Sequence, residues 1–455
     1  MRHPASTTGV VPVTPSALGL AGLMLLAWGG VVFGSFQYDD YPNILTHPAT
    51  LGGSALVESL VGGIRPLTRA SYALDHAIWG TWAGGWLITN LLLHIATALG
   101  VARLAHLRGA TGAAAWLAAA VFALQPAHGM TVAYVTGRSS GLMTALLVGS
   151  LLAYESAKHE KSNGRPSWPL EMLSWACFAG AFAAKEVALC FPALLLLWEG
   201  TRSGVSTSLR SSLARLTPFV LLAAAALWIA LANARYQQLL AYSVALRSPL
   251  DSVLQNAAAL PLTLSLLVRP WALSVQHAAP SAGVSVAIGA VVCAVWVAMA
   301  IRLRRRSPWW TLGMLWPVIA LLPTHSLIAK ADAITESSLY LAWVGPSLAL
   351  GLGFGRWSQR ARFAARPFRA CLAAVLLVMS LGCTWRAIVW GDPVRLWREA
   401  VAEVPHSSRA WNNLGMAYMG RSARASARAA FEHALRLEPS NVRAALNLSL
   451  LDLVH

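Results

Sequence analysis

Residues 84–102, GGWLITNLLLHIATALGVA, and residues 283–301, GVSVAIGAVVCAVWVAMAI, each run for 19 positions without Asp, Glu, Lys or Arg. A helix needs about 20 mainly apolar residues to cross the hydrocarbon core of a bilayer. The composition agrees, because apolar residue types make up 56% of the chain and charged types only 12%, against roughly 25% charged residues in soluble domains. The sequence therefore predicts an all-α fold, a polytopic bundle of membrane-spanning helices.

Apolar runs of this kind recur through the first 390 residues. A further apolar segment, 252–273, is interrupted by Pro261 and Pro270, which predicts a re-entrant or interfacial helix pair rather than a span. Without it the sequence predicts 11 spans, near 17–36, 84–102, 111–126, 139–154, 171–185, 187–199, 216–233, 283–301, 309–323, 338–355 and 369–389.

The basic residues orient this predicted bundle. With the N-terminus inside, the inner loops hold 17 Lys and Arg and the outer loops hold 8, as the positive-inside rule requires. A twelfth span would place the cluster RLRRR at 302–306 on the outer face. The prediction is therefore N-in/C-out. Because the net charge of +17 is concentrated in these short loops, we expect no nucleic-acid partner.

From residue 391 the sequence changes to that of a soluble helical module. The strings WNNLGMAY and AFEHALRLEP match the tetratricopeptide pattern, and residues 34 positions apart correspond, as Trp397 does with Phe431 and Asn413 with Asn447. We predict a membrane domain at 1–390 and a repeat module at 391–455. Two roles fit this module equally well: a structural cap on the membrane domain, and a surface that binds another protein. Its helices are expected near 393–403, 407–419, 423–437 and 441–453.

An acidic pair, Asp39 and Asp40, follows directly on the first predicted span and begins the outer loop 37–83. Adjacent carboxylates close to hydrocarbon are costly and oppose each other's ionisation. One of them suits the role of a base, while the other orients it or binds a cation. The structural alternative is a turn or a helix N-cap, which Asp also favours.

Further charged and polar residues are predicted on the same outer face. Each one alone fits a side chain that reaches from the interface to water. Together they suit transfer from a phosphate-linked donor, since cations stabilise the charge on a leaving phosphate and a carboxylate takes the acceptor proton. These residues are Arg65, Arg138, Lys185, Glu186, Glu336 and Tyr340.

Five strings occur in order after the acidic pair: RPLTRASYALDHAIWG, TNLLLH, QPAHGMTVAYVTGR, AKEVALCFPALLLLWE and ESSLYLAWVG. With the C-terminal repeats, they resemble the transmembrane-and-tetratricopeptide-repeat O-mannosyltransferases and their bacterial relatives, which belong to the GT-C glycosyltransferases. The resemblance implies a polyprenyl-phosphate-linked sugar donor in the membrane lipid. It also implies inverting transfer to an acceptor hydroxyl, such as a protein Ser or Thr. The expected location is a bacterial inner membrane, with the site and the repeats facing the periplasm.

The same resemblance implies roles for the outer-face residues. One aspartate of the acidic pair would be the base, Arg138 and Lys185 would contact phosphate, and Arg65 would shape the first outer loop. Glu186, Glu336 and Tyr340 would be further site residues. The chain departs from the family pattern at Gln125, Met130 and Ser337, which leaves the donor sugar and the use of a divalent metal open.

Two alternatives accompany this reading. The first is a non-enzymatic membrane scaffold whose repeats dock envelope proteins. The second is a glycosyltransferase that acts on a glycolipid or polysaccharide. A protein acceptor or partner bound through the repeats is expected in the leading interpretation.

Overall fold

The computed structural model describes residues 15–202, 209–278, 284–325, 332–360 and 366–453. Every regular element in these ranges is helical, which confirms the all-α prediction. Lys330, one of the predicted outer charges, lies outside the described residues. The helices up to residue 391 are α1 Pro15–Trp28, α2 Gly53–Gly62, α3 Pro66–Trp79, α4 Ala83–Leu107, α5 Gly112–Ala123, α6 Gly129–Val132, α7 Arg138–Ser162, α8 Trp168–Ala184, α9 Phe191–Gly200, α10 Leu209–Ala232, α11 Ala234–Leu246, α12 Pro249–Ser265, α13 Val284–Leu303, α14 Pro308–Leu321, α15 Leu339–Ala342, α16 Val344–Arg360 and α17 Arg366–Gly391.

The described residues contain 5 helices that are long and apolar enough to cross a membrane, or up to 6 if the segment Glu336–Ala342 and α16, bent by 41°, form one span. These helices support a membrane protein. Each of the predicted spans falls on a helical segment, but several of those segments are short, and 11 crossings remain a prediction. The long helices are Ala83–Leu107, Arg138–Ser162, Leu213–Ala232, Val286–Leu303 and Ala370–Gly391.

The predicted helix break at Pro261 is wrong. Helix α12 runs continuously through Pro261 and ends at Ser265. A proline ring deprives the carbonyl four residues earlier of its helical hydrogen bond. Here that carbonyl belongs to Ala257, and Gly289 of α13 packs so close that an added Cβ would lie 2.9 Å from its oxygen. Tight packing between α12 and α13 therefore accommodates the proline, and the membrane placement of α12 stays a prediction.

Small residues allow the central helices to approach closely. A Cβ added at Gly351 of α16 would lie 2.6 Å from the carbonyl oxygen of Ala114 and 2.6 Å from the methyl group of Ala118, both in α5. Such small-residue contacts are typical of helix packing inside membranes, where dispersion rather than the hydrophobic effect drives association. These contacts pack α16 directly against α5.

Four amphipathic helices follow α17: α18 Pro393–Glu403, α19 Ser408–Met419, α20 Arg424–Leu437 and α21 Val442–Leu453. Their bounds agree with the predicted helices to within one residue. Phe431 is fully buried and packs on Gly415, where an added Cβ would lie 2.4 Å from the ring. The side chain of Asn447 donates to Asn412 at 2.9 Å. The assignment of these helices to tetratricopeptide repeats remains a prediction.

Candidate active site

The loop that carries the acidic pair has an unusual backbone. Tyr38 has a φ of 42°, a left-handed conformation that is uncommon for a residue with a side chain. A single π-helical turn, Tyr41–Leu45, follows the pair. Packing holds this geometry, because the Tyr38 ring lies 5.4 Å from that of Trp397 and the Gln37 side chain donates to the Trp390 carbonyl at 3.1 Å. The loop therefore turns the two aspartates into different surroundings.

Asp40 is completely buried. Its Oδ1 accepts hydrogen bonds from the backbone N–H of Thr136 at 2.8 Å and from the hydroxyl of Thr136 at 2.6 Å, while its Oδ2 accepts from the Gln37 N–H at 2.9 Å. Burial raises the pKa of Asp40 to about 7, although these hydrogen bonds act in the opposite direction. Asp40 therefore ties the outer loop to the segment before α7.

Asp39 points elsewhere and is only partly buried. Its backbone N–H donates to the Tyr134 hydroxyl at 3.2 Å, but within the described ranges its carboxylate receives no hydrogen bond from the protein. Burial raises the pKa of Asp39, the Arg409 guanidinium lowers it and the Asp332 carboxylate raises it. The geometry thus separates the two aspartates: one is locked into the protein, and the other is available to a ligand.

Arg138 lies beneath this loop and is completely buried. Its Nε donates to the Asn90 side chain at 2.8 Å, its Nη1 to the Ser71 carbonyl at 3.1 Å, and its Nη2 to the Trp86 carbonyl at 2.9 Å. Nη2 also forms an ion pair with Asp75. This position puts Arg138 inside the protein and away from any open surface at which a donor phosphate could bind.

Arg65 and Glu186 form a pair nearer the surface, with side chains 33% and 36% exposed. The guanidinium donates to both carboxylate oxygens, at 2.9 Å from Nε and 2.5 Å from Nη2. Burial raises the pKa of Glu186, but Arg65 outweighs it and brings that pKa down to about 2. The neighbouring Lys185 is partly exposed and donates to the Ser140 hydroxyl at 2.7 Å. Arg65, just before α3, is thus brought together with Lys185 and Glu186, which follow α8.

Glu336 lies in a second buried network. Its Oε1 accepts from the Ser274 N–H at 2.6 Å and lies 3.2 Å from Nε2 of His277. Its Oε2 lies 3.7 Å from Nη2 of Arg386, and Arg386 in turn pairs with Glu399 of α18 at 3.0 Å. Glu336 is only 1% exposed, so this arrangement suits a structural connection between its own segment, α17 and α18.

Tyr340 is also completely buried. Its hydroxyl lies 2.8 Å from Nδ1 of His94, and Nε2 of His94 lies 3.0 Å from the Ala123 carbonyl. A donor at Nε2 leaves Nδ1 as the acceptor, so Tyr340 donates to His94. The tyrosine ring packs 4.6 Å from His128. Tyr340 belongs to an aromatic cluster in the bundle and not to the surface around Asp39.

No group of three His, Cys, Asp or Glu side chains in the described part of the chain is arranged to hold a metal ion. The two carboxylates of the acidic pair point into different surroundings, and Asp40 already accepts three hydrogen bonds. These residues do not fit a divalent-metal site, and we derive no step through one.

The sequence analysis assigned no site role to several residues that build the site. Thr136 fixes Asp40, while Asn90 and Asp75 hold Arg138. All three residues lie inside the strings quoted above. The signal that could have identified them is a hydrogen-bonding side chain in an otherwise apolar stretch of sequence. Arg409 of α19 gave no such signal, because an arginine on a soluble helix is ordinary.

Comparison with known proteins gives a limited relationship to one class of enzyme, the protein O-mannosyltransferases. Protein O-mannosyl-transferase TMTC4 of Mus musculus is 30% identical over 106 residues, which cover 23% of this chain and 14% of the mouse protein. The Homo sapiens protein of the same name is 29% identical over 106 residues, with the same coverage. The match thus spans about a seventh of the length of these relatives. No protein-family model matches the chain, and no solved structure matches it.

Proposed function

We propose that this chain is a membrane glycosyltransferase of GT-C type. It transfers a sugar from a polyprenyl-phosphate-linked donor to a hydroxyl acceptor, a Ser or Thr of a protein, on the outer face of the membrane. The proposal includes 11 spans with the N-terminus inside, a membrane domain at 1–390, a tetratricopeptide module at 391–455 and a bacterial inner membrane whose periplasmic side carries the site. The printed name of the relatives makes mannose the first sugar to test.

The contrast between the two adjacent aspartates carries the proposal. Asp39 offers a partly exposed carboxylate with no hydrogen-bond donor in the described part of the protein, whereas Asp40 is buried and fully hydrogen-bonded. A general base must reach the proton that it abstracts. Asp39 is therefore the proposed base, and Asp40 is the residue that positions its loop.

The proposed reaction is a single inverting displacement. Asp39 accepts the proton of the acceptor hydroxyl as the acceptor oxygen forms a bond to C1 of the sugar. The bond from C1 to the phosphate oxygen breaks, and its electron pair leaves with polyprenyl phosphate. Because phosphate is a stable anion, cations that stabilise it matter more here than a general acid. Arg65 and Lys185 are partly exposed and are the proposed phosphate contacts.

Arg138, Glu336 and Tyr340 take supporting roles in this proposal. Their side chains are buried and already engaged in the protein. Arg138 holds the segment that fixes Asp40, and Glu336 connects α17 to the C-terminal helices. Glu186 orients Arg65 through the bidentate pair.

The test compares Asp39→Asn with the wild type as purified full-length proteins. Each is incubated with polyprenyl-phosphate mannose and a Ser/Thr-rich peptide, and the product is measured by intact mass. Loss of a general base costs about 10²- to 10⁴-fold in rate, and we expect a loss in this range with unchanged thermal unfolding. Glu403→Gln, an exposed carboxylate on α18, is the matched control. Full transfer by Asp39→Asn would refute the assigned base.

The two alternatives predict different results in the same assay. A non-enzymatic scaffold gives no mass increase on any acceptor, and removal of the C-terminal helices then affects only partner binding. An enzyme for glycolipid or polysaccharide leaves the peptide unmodified but extends a lipid acceptor. In that case Asp39→Asn still abolishes transfer.

A further inference from the structure

The C-terminal helices are seated on the outer end of the membrane domain beside the acidic loop. Trp397 of α18 contacts the Tyr38 ring, and Glu399 of the same helix pairs with Arg386 of α17 at 3.0 Å. Before α19, the Ser407 hydroxyl accepts from the Gln276 side chain at 2.9 Å. The contacts thus reach three separate segments of the membrane domain, so the module has a defined orientation above Asp39.

One cation of the module forms an ion pair with the segment that leads to Glu336. Arg409, at the start of α19, forms an ion pair with Asp332, a residue of the segment that leads to Glu336. Its side chain is 30% exposed. Both Asp39 and Tyr38 lie within the electrostatic range of Arg409 and of Asp332. The charge pair that influences Asp39 is therefore built by the module and the membrane domain together.

We infer that Arg409 is a positioning residue for the Asp39 carboxylate, so that the C-terminal module forms one wall of the transfer site. This inference rests on the proposed function, in which Asp39 is the base. An inverting displacement brings the acceptor and the leaving phosphate to opposite faces of the sugar. Cations beside the base consequently lie on the acceptor side, and the wall formed by the module borders the path of the acceptor hydroxyl.

The charges around Asp39 predict opposite effects for the two members of the ion pair. Arg409 lowers the pKa of Asp39 and Asp332 raises it. The other titratable or charged groups near Asp39 are Arg443 of α21, which lowers that pKa, and Tyr38, Asp40 and Tyr134, which are influenced by the charge of Asp39. Removing Arg409 should thus weaken the acidity of Asp39, and removing the charge of Asp332 should strengthen it.

The experiment records the pH dependence of kcat/KM for sugar transfer by the full-length protein. For Arg409→Gln we expect the acidic limb of the profile to move to higher pH, and for Asp332→Asn to move to lower pH, because a nearby opposite charge favours the ionised carboxylate and a nearby like charge disfavours it. The matched control is Arg428→Gln, because Arg428 also pairs with an aspartate, Asp452, in the same module. We expect its profile to coincide with that of the wild type.

A second measurement does not depend on transfer. In the Asp39→Cys variant, the alkylation rate of the introduced thiol is followed against pH and read by peptide mapping. Adding Arg409→Gln should raise the thiol pKa and slow alkylation near neutral pH several-fold, while adding Asp332→Asn should lower the pKa and speed alkylation. Adding Arg428→Gln should leave the rate unchanged.

These results separate failure of this inference from failure of the proposed function. If Arg409→Gln and Asp332→Asn move the pH profiles equally and in the same direction, the ion pair is purely structural and the inference is overturned. Unchanged thiol and transfer profiles would also overturn it. Absence of transfer by the wild type would refute the proposed function, and the thiol measurement would still decide whether Arg409 controls the charge at this position.

Discussion

Two arginine–carboxylate pairs of the helical bundle have the same chemistry but differ in how deeply they are buried. Arg138 and Asp75 are completely enclosed, with side chains 0% and 3% exposed, whereas Arg65 and Glu186 are 33% and 36% exposed. All three nitrogens of the Arg138 guanidinium donate to protein acceptors. Burial, and not the type of pair, therefore decides whether a charged residue in these strings supports the fold or is accessible to a ligand.

The adjacent aspartates repeat this contrast within one loop. Asp40 accepts three hydrogen bonds inside the protein, and Asp39 lies beside the module without such donors in the described ranges. Substitution of a buried charged residue, such as Arg138 or Asp40, should therefore lower the stability of the fold. Substitution of a partly exposed one, such as Asp39, should lower mainly the activity.

The largest effect on stability is expected for Arg138→Met. The change leaves Asp75 as an uncompensated buried charge and removes the donor to Asn90. Breaking a buried ion pair in this way costs about 3–5 kcal/mol, which we expect as a large decrease in thermal unfolding temperature or as loss of folded protein. The measurement is unfolding of the purified protein in detergent.

Two further variants sharpen this prediction. Arg428→Met breaks a pair of similar chemistry whose side chains are 49% and 50% exposed, and should cost about 0–1 kcal/mol. The double variant Arg138→Met with Asp75→Leu should recover part of the lost stability, because no buried charge remains. If Arg138→Met unfolds at the same temperature as Arg428→Met, the buried pair has no special structural importance.

A smaller loss of stability is expected for Asp40→Asn. The new amide has only one oxygen, so its NH₂ group must face either the Gln37 N–H or the Thr136 N–H, and one buried donor loses its acceptor. Such a loss costs about 1–3 kcal/mol, measurable as a lower unfolding temperature.

The pH dependence of this effect has a definite sign. The pKa of Asp40 is raised to about 7 from an unfolded value near 3.9. The contribution of Asp40 to the free energy of unfolding is thus fully present below about pH 4 and is lost as the pH rises through 7. The unfolding-temperature difference between wild type and Asp40→Asn should shrink across that range. A difference that grows between pH 4 and 8 would contradict the raised pKa.

The helices were largely predictable because their signals are local. Long apolar runs located the apolar helices, and the tetratricopeptide pattern with its 34-residue period located the C-terminal helices, whose caps are also local. Asp392 accepts from the N–H groups of Val394 and Arg395, and Ser407 accepts from that of Ala410. Pro261 was misjudged because the partner that accommodates it, Gly289, belongs to another helix.

The types of residue in the site were predictable from the sequence, but the role of each residue was not. Asp39 and Asp40 are neighbours in sequence, and two of the three hydrogen bonds that set Asp40 apart come from Thr136, 96 positions further on. Arg138 finds its acceptors 48 to 67 positions away. Contacts of this range depend on how the helices pack, and no local pattern contains that information.

The smallest effect is expected for Glu186→Gln, which tests the exposed side of the comparison. Because the side chains of this pair are 33% and 36% exposed, the cost should be about 1 kcal/mol or less at pH 7. Arg65 holds the pKa of Glu186 down to about 2, below the unfolded value near 4.3. The stabilisation is therefore present above about pH 4 and is lost as the pH falls towards 2, opposite in sign to that of Asp40.

The measurement is the difference in unfolding temperature between wild type and Glu186→Gln at pH 7, 5 and 3. This difference should be the same at pH 7 and pH 5 and should be smaller at pH 3. With Glu403→Gln as the control for removal of an exposed carboxylate, a difference that is unchanged at pH 3 would show that the pair with Arg65 does not stabilise the fold.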